Sequence, residues 1–307
     1  MIYTVTLNPS LDYVMQVNNL QFGLTNRSAN EALYVGGKGI NVSMVLKQLG
    51  QPTTVLGFIA GFTGDAIQNE LERQAIPTQL VALQQGLSRI NVKLKGQQET
   101  EINGCGPTVE EKDFLQLLGG LNELNEQDVL ILSGSIPAGL APDCYVRMMQ
   151  IAMAKGARVV VDTAGENLRQ CLPFHPFLIK PNRQEVEELL SLSIDPNDNS
   201  QLANAARQLQ QAGAKNVLIS LGGDGAFLLD EHGNTHRMAA AKGTPLNTVG
   251  AGDSMIAGFV TAIVRGDDYA TALRLATACG GATSFSQDLA DAKTIQQVLD
   301  TLPKVQN

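Results

Sequence analysis

Short, uninterrupted apolar runs, each delivered into a glycine-rich or polar turn, leave this chain few architectures. Val55–Ile59, Val129–Leu132, Val159–Val161, Phe177–Ile179 and Val217–Leu221 are such runs, and Ile2–Leu7 opens the series. Strands apolar on both faces belong inside a sheet covered on both sides. Helices between consecutive strands bring those strands parallel. Helical periodicity is expected near Ala66–Ala75, Val109–Leu124, Pro142–Lys155 and beyond Lys180, then over Tyr269–Cys279 and Thr294–Leu302. No repeat, low-complexity tract or linker divides the chain, so one α/β domain with a mostly parallel central sheet is expected over 1–307.

Three segments fall outside this rhythm. Tyr13–Val17 and Arg27–Val35 read as short strands, and Arg89–Leu94 alternates strictly, with Ile90, Val92 and Leu94 on one face and Arg89, Asn91 and Lys93 on the other. They form either a lid over a cleft, from about 13–35 and 88–104, or a small sheet with a solvated face.

Composition narrows the partners. A formal charge of −8 with no run of Lys or Arg argues against nucleic acid, so an anionic substrate needs local cations. The longest apolar-rich stretch, Met255–Val264, is about half a membrane span, and no basic segment precedes an apolar core at the amino terminus, so no membrane association is expected. Four cysteines without a C-x-x-C and three histidines without H-E-x-x-H suggest neither disulfides nor zinc, which fits a reducing cytoplasm. No G-x-G-x-x-G follows a strand, and Gly37-Lys38 lacks the other residues of a P-loop.

The strongest chemical signal is Asn247-Thr248-Val249-Gly250-Ala251-Gly252-Asp253, which runs into an amphipathic helix. A glycine turn at a helix mouth exposes unpaired N–H groups and the positive end of the dipole, so it welcomes an anion and favours Asp253 as a carboxylate able to take a proton. A purely structural reading makes Asp253 a helix cap. Gly36-Gly37-Lys38-Gly39-Ile40-Asn41 is a second glycine-rich helix start, suited to a sugar phosphate or simply to a compact turn. Asp12, after the first strand, could accept sugar hydroxyls or hold a turn. Asn182 and Glu185 share one face of an opening helix turn, where they could orient Mg²⁺ or form a capping box. Gly222 and Gly225, at a strand end, fit a nucleotide or a hairpin.

As an ordered set these motifs resemble the ribokinase-like (PfkB) family of sugar kinases across essentially the whole chain. Thr6-Leu7-Asn8-Pro9 with Asp12, Gly37-Lys38-Gly39-Ile40-Asn41-Val42, Arg89–Leu94, Ser133-Gly134-Ser135-Ile136-Pro137, Lys180-Pro181-Asn182-x-x-Glu185, Ser220-Leu221-Gly222-x-x-Gly225-Ala226 and Asn247–Asp253 carry the likeness. The resemblance implies a three-layer sandwich with a β-sheet lid. It also implies an ATP- and Mg²⁺-dependent kinase for a ketohexose phosphate: fructose 1-phosphate first, tagatose 6-phosphate as the alternative, and a non-catalytic sugar-phosphate sensor as the rival of another class.

Roles implied by the resemblance follow residue by residue. Asp253 is the expected base, with the Gly250, Ala251 and Gly252 backbone as anion hole. Asp12, Gly37, Lys38, Asn41, Asn91 and Ser133 would hold the sugar phosphate, with Arg89 and Lys38 on its phosphate and Arg27 reaching across a homodimer formed through the lids. Lys180, Asn182, Ser220, Gly222, Gly225, Asn247 and Cys279 would line the ATP site, and Glu185 with Asn182 would position Mg²⁺. Two positions depart from the family pattern: Gly36, where alanine is more usual, and Ala164, where serine is frequent. The second leaves the role of the Asp162 loop open.

Overall fold

The computed structural model describes residues 1–96 and 98–303. Its strands are β1 (Ile2–Thr6), β2 (Ser10–Gln16), β3 (Asn30–Gly36), β4 (Thr53–Ala60), β5 (Thr78–Leu83), β6 (Arg89–Lys95), β7 (Thr100–Asn103), β8 (Val129–Ser133), β9 (Arg158–Asp162), β10 (Leu178–Ile179), β11 (Asn216–Ser220), β12 (Ala226–Leu229) and β13 (Thr235–Met238). The helices are α1 (Lys38–Gln48), α2 (Gly61–Arg73), α3 (Glu111–Gly120), α4 (Cys144–Ala154), α5 (Gly165–Cys171), α6 (Arg183–Leu190), α7 (Asn199–Gln211), α8 (Ala251–Arg265), α9 (Tyr269–Ser284) and α10 (Ala292–Thr301).

The large sheet runs β13-β12-β11-β10-β9-β8-β1-β4-β5, parallel from β11 to β5 and antiparallel only at β12 and β13. Its apolar runs serve both faces alternately, as the two-residue strand period demands. Leu130, Leu132, Val159, Val161, Val217 and Ile219 join the core beneath α3, α4 and α7. Val129, Ile131, Val160 and Leu218 join the core beneath α1, α8 and α9. Three layers result, with the mostly parallel sheet in the middle, as the sequence predicts.

One helix fixes the position of the polar edge. Along α8, every residue from Asp253 to Ala262 is buried, and burying a side chain such as Ile256 or Phe259 is worth roughly 2 kcal/mol. Helix α9 closes on it so tightly that a Cβ at Gly258 would meet the Leu275 carbonyl at 2.7 Å and the Cys279 Sγ at 2.9 Å. The first turn of α8 is therefore held rigidly at the carboxyl edge of the sheet.

The segments outside the rhythm form a separate four-stranded sheet, β3-β2-β6-β7, in which β2 and β6 are parallel. Register separates its faces cleanly. Asp12 lies beside Tyr34 and Asn91 on the face that lines a cleft, whereas Tyr13 lies beside Leu33 and Val92, and Val92 beside Ile102, on the opposite face. Leu33, Ile90 and Ile102 on that outer face are exposed at 57%, 42% and 60%. The polar face is thus the one turned inward.

Four elements lack a usable sequence signal. The buried stripe of α7 is largely alanine (Ala203, Ala205, Ala206) among glutamines, and α5 is short. β5 and β13 carry no clean alternation of burial over their Thr-Gln-Leu-Val-Ala-Leu and Thr-His-Arg-Met sequences.

Candidate active site

At the mouth of α8, Gly250 adopts a left-handed conformation (φ 79°) that turns the chain into the helix, and no side chain caps it. Asp253 is therefore free of capping duty. Its carboxylate, 6% exposed, accepts a hydrogen bond through Oδ2 from Asn41 Nδ2 of α1 at 2.8 Å. Lysines approach from two directions. A Cβ at Gly252 would stand 3.0 Å from Lys180 Nζ, so the missing side chain leaves the ammonium against the turn. Lys180 Nζ pairs with Asp162 Oδ1 at 3.3 Å, and Lys38 Nζ with Asp162 Oδ2 at 3.1 Å. Asp162, at the carboxyl end of β9 and buried, ties the two lysines together.

The charge states follow from these neighbours. Burial, reinforced by the negative charge of Asp162, pushes the Asp253 carboxyl up to about 6 against the opposing pull of Asn41, Lys38 and Lys180. The helix dipole alone suggests a fully ionised Asp253; desolvation outweighs it. Burial also raises the Asp162 carboxyl, but Lys180 and Lys38 overturn that effect and hold it below its usual range. For Lys38, burial pulls the ammonium down while Asp162 and then Asp253 raise it further, and the net shift is upward.

The Gly36–Asn41 segment partitions the space beside this cluster. Gly36 and Asn41 line a lobe of about 780 Å³ beneath the small sheet, which also meets Asp12, Lys93, Asn247 and Asp288. Gly37 and Lys38 line a lobe of about 420 Å³ with Asn8, Arg89, Ser133 and Asn167. Arg89 is held there by Nε donating to the Asn8 carbonyl at 3.0 Å, and burial lowers its pKa. Ser133 Oγ and Asn8 Oδ1 are buried without a partner, and an unpaired buried oxygen costs roughly 1–3 kcal/mol unless a ligand or water satisfies it. The smaller lobe therefore combines two cations with unsatisfied polar atoms, the composition expected for a hydroxylated anion.

On the far side of Lys180, the capping box is realised. Glu185 N donates to Asn182 Oδ1 and Asn182 N to Glu185 Oε2, both at 2.8 Å. Ser220 bridges to Asn182 through the backbone, and Gly222 opens a turn where an added Cβ would meet nothing within 4 Å. Gly225 adopts φ 91°, and a Cβ there would collide with the Met238 carbonyl at 2.1 Å. Among the described residues no three His, Cys, Asp or Glu side chains cluster to cage a metal. That donor set still fits Mg²⁺, which normally rides on substrate phosphates and uses one or two carboxylates and several waters.

Two expected residues are not brought to this assembly. Cys279 is fully buried between α8 and α9, its thiol pushed up to about 12 by burial, so it packs the helices. Arg27 is exposed in the connection between β2 and β3. Conversely, Asp162, Ser10 and Lys93 belong to the polar network although none is expected as a site residue: Asp162 is visible as the acid that ends an apolar strand and Lys93 on a polar strand face, whereas Ser10 carries no signal.

Compared with models of known families, residues 5–294 match the pfkB family carbohydrate kinases. The chain belongs to that family. This kinase is 40% identical over 299 residues, 97% of each chain, to the 1-phosphofructokinase of Bacillus subtilis (strain 168). It is 37% identical over 297 residues, again 97% of each, to the D-tagatose-1-phosphate kinase of Bacillus licheniformis. Among solved structures it resembles phosphofructokinase-2 from Escherichia coli in complex with substrates and products, with a TM-score of 0.92 and 27% identity over 98% of this chain and 99% of that one.

Proposed function

We propose that this kinase transfers the terminal phosphoryl group of ATP to the free primary hydroxyl of a ketohexose phosphate, converting fructose 1-phosphate to fructose 1,6-bisphosphate. The observation that carries this reading is the buried, uncapped carboxylate of Asp253 at a helix mouth flanked by two lysines. Asp253 accepts the proton of the sugar hydroxyl as its oxygen attacks the γ-phosphorus and ADP leaves. A base whose pKa lies near 6 is ionised at neutral pH yet still basic enough to take the proton. The N–H groups of the Gly250–Asp253 turn, with Lys180 and Lys38, meet the charge on the transferred group. Asp12, Asn41, Gly37 and Ser133 hold the sugar, Arg89 and Lys38 its existing phosphate, and Lys180, Ser220, Gly222, Gly225 and Asn247 the nucleotide. Glu185 and Asn182 are the residues that would hold Mg²⁺, which would supply charge neutralisation on the phosphates.

The four-stranded sheet serves as the lid of a single kinase domain. Its outer row of Leu33, Tyr13, Val92 and Ile102 pairs with the same face of a second copy, with Arg27 near the seam. Sedimentation tests this: Leu33→Asp with Ile102→Asp yields monomer where the parent sediments as a dimer. A cytoplasmic setting suits these substrates.

The substrate reading is tested by ADP release with fructose 1-phosphate, fructose 6-phosphate, tagatose 1-phosphate and tagatose 6-phosphate. The highest kcat/KM is expected with fructose 1-phosphate, and no turnover with any of them favours the sensor. The tagatose alternative is matched less well. Relatives bearing the tagatose name are 1-phosphate kinases, which favours the 1-phosphate over the 6-phosphate for that alternative.

A further inference from the structure

The inner face of the small sheet holds a carboxylate with far more partners than Asp253 has. Asp12 Oδ1 accepts from Ser10 Oγ at 2.8 Å and from Asn91 Nδ2 at 2.8 Å, while Oδ2 pairs with Lys93 Nζ at 2.8 Å. The Lys93 and Asp12 side chains are only 12% and 13% exposed, so this is not a loose surface pair. Asn91 is itself fully committed: Nδ2 also reaches Ser10 Oγ at 3.1 Å, and Oδ1 accepts from Gly104 N at 3.2 Å. It is thus anchored to the segment that follows β7 and aimed at Asp12.

Space for the network comes from Gly36, which stands opposite Ser10 across β2 and β3. A Cβ at residue 36 would lie 2.6 Å from Ser10 Oγ and 2.7 Å from Asp12 Oδ1. Both atoms end flexible side chains and could move aside, so the collision threatens the orientation of the carboxylate more than the fold.

We propose that Ser10, Asn91 and Lys93 are positioning residues that lock the Asp12 carboxylate beneath the lid, and that Gly36 is the vacancy this lock requires. The proposal rests on the reading of Asp12 as a ligand of the ketohexose phosphate. A carboxylate offers about four acceptor positions, and three are occupied here, so one direction remains for a substrate hydroxyl. A ligand with one free acceptor direction selects hydroxyl geometry; one free to rotate does not. Asn91, expected from its motif to touch the sugar, acts on it through Asp12.

Steady-state kinetics on the full-length enzyme with fructose 1-phosphate and ATP test the lock. Lys93→Met is expected to raise the KM for the sugar phosphate by about 10- to 100-fold, the range for losing a charge-assisted contact, with kcat and the KM for ATP nearly unchanged. Lys93→Arg restores most of the loss. Gly36→Ala is expected to raise the same KM about tenfold, and its effect shrinks in a Ser10→Ala background, where one of the two colliding atoms is gone. Thermal melting of each variant shows whether the fold survives. An unchanged sugar KM in Lys93→Met, or a Gly36→Ala effect equally large with and without the Ser10 hydroxyl, overturns the proposal. So does a parallel fall of kcat and both affinities that tracks a lower Tm. Asp12→Asn separates the two levels: if it leaves the sugar KM unchanged, the reading of Asp12 fails, whereas a raised KM there beside a normal Lys93→Met sinks the lock alone.

Discussion

Asp253 and Asp12 each accept a hydrogen bond from an asparagine amide, yet they are held in contrasting ways. Asp12 has two hydrogen-bond donors and an ammonium in direct contact. Asp253 has one donor, Asn41, while the nearby lysines are paired to Asp162 instead. A carboxylate with three partners is a fixed acceptor, aimed by its neighbours. An under-partnered, buried one keeps an appetite for a proton, and its pKa near 6 records it. On the proposed roles, where the cations pair decides which carboxylate serves as a grip and which as a base.

The sharpest way to break this contrast is to neutralise the base. Asp253→Asn keeps an oxygen for Asn41 but loses the proton acceptor, and kcat is expected to fall by about 10²- to 10⁴-fold with little change in the KM for the sugar phosphate. Near-normal turnover of the purified variant would refute Asp253 as the base.

Next in size is the test of Glu185, whose structural and chemical roles can be separated. Gln also serves at the third position of a capping box, so Glu185→Gln keeps the bond from Asn182 N and should leave Tm almost unchanged. It loses the charge that an ion-bound water would feel, so half-saturation by Mg²⁺ is expected to rise about tenfold or more. Unaltered Mg²⁺ dependence would reduce Glu185 to a helix cap.

How far these two carboxylates could be told apart from the letters alone is instructive. The sheet was legible because apolar runs buried on both faces leave few alternatives, and the helix mouth at Asp253 because glycines before an amphipathic stripe mark a turn. Asp253 was visible as a candidate, but its raised pKa was not. That shift depends on burial and on Asp162, which lies 91 positions earlier. Lys93 was visible on a polar strand face but had no partner, and Ser10 was not singled out, because alternation identifies a polar face without saying what that face meets. Cys279 entered only through the family resemblance, and packing against Gly258 shows its thiol turned into the core.

A smaller effect sharpens the point about cation placement. In the parent enzyme, kcat/KM should decline as pH falls through about 6, where Asp253 becomes protonated. Asp162→Asn removes the negative charge that raises this pKa and releases two lysines that lower it, so both changes have the same sign. The acid limb of the profile moves to lower pH. An unmoved limb would mean that Asp162 does not govern the charge on Asp253.

The smallest expected effect is on stability, and its sign is opposite to that of most active-site losses. Burial raises the Asp253 carboxyl from 3.8 to about 6. The folded state therefore binds this proton more tightly than the unfolded one, and the associated stability is fully present below about 3.8 and lost as pH rises through about 6. Above that pH the protein carries a buried carboxylate at a cost, and Asp253→Asn removes the cost while keeping the Asn41 bond. Asp253→Asn should melt about 2 °C or more above the parent at pH 8, with the advantage shrinking as the melts are repeated towards pH 4. A variant less stable than the parent at pH 8 would show that the lysines already compensate Asp253 in full, and the contrast with Asp12 would then lose its energetic basis.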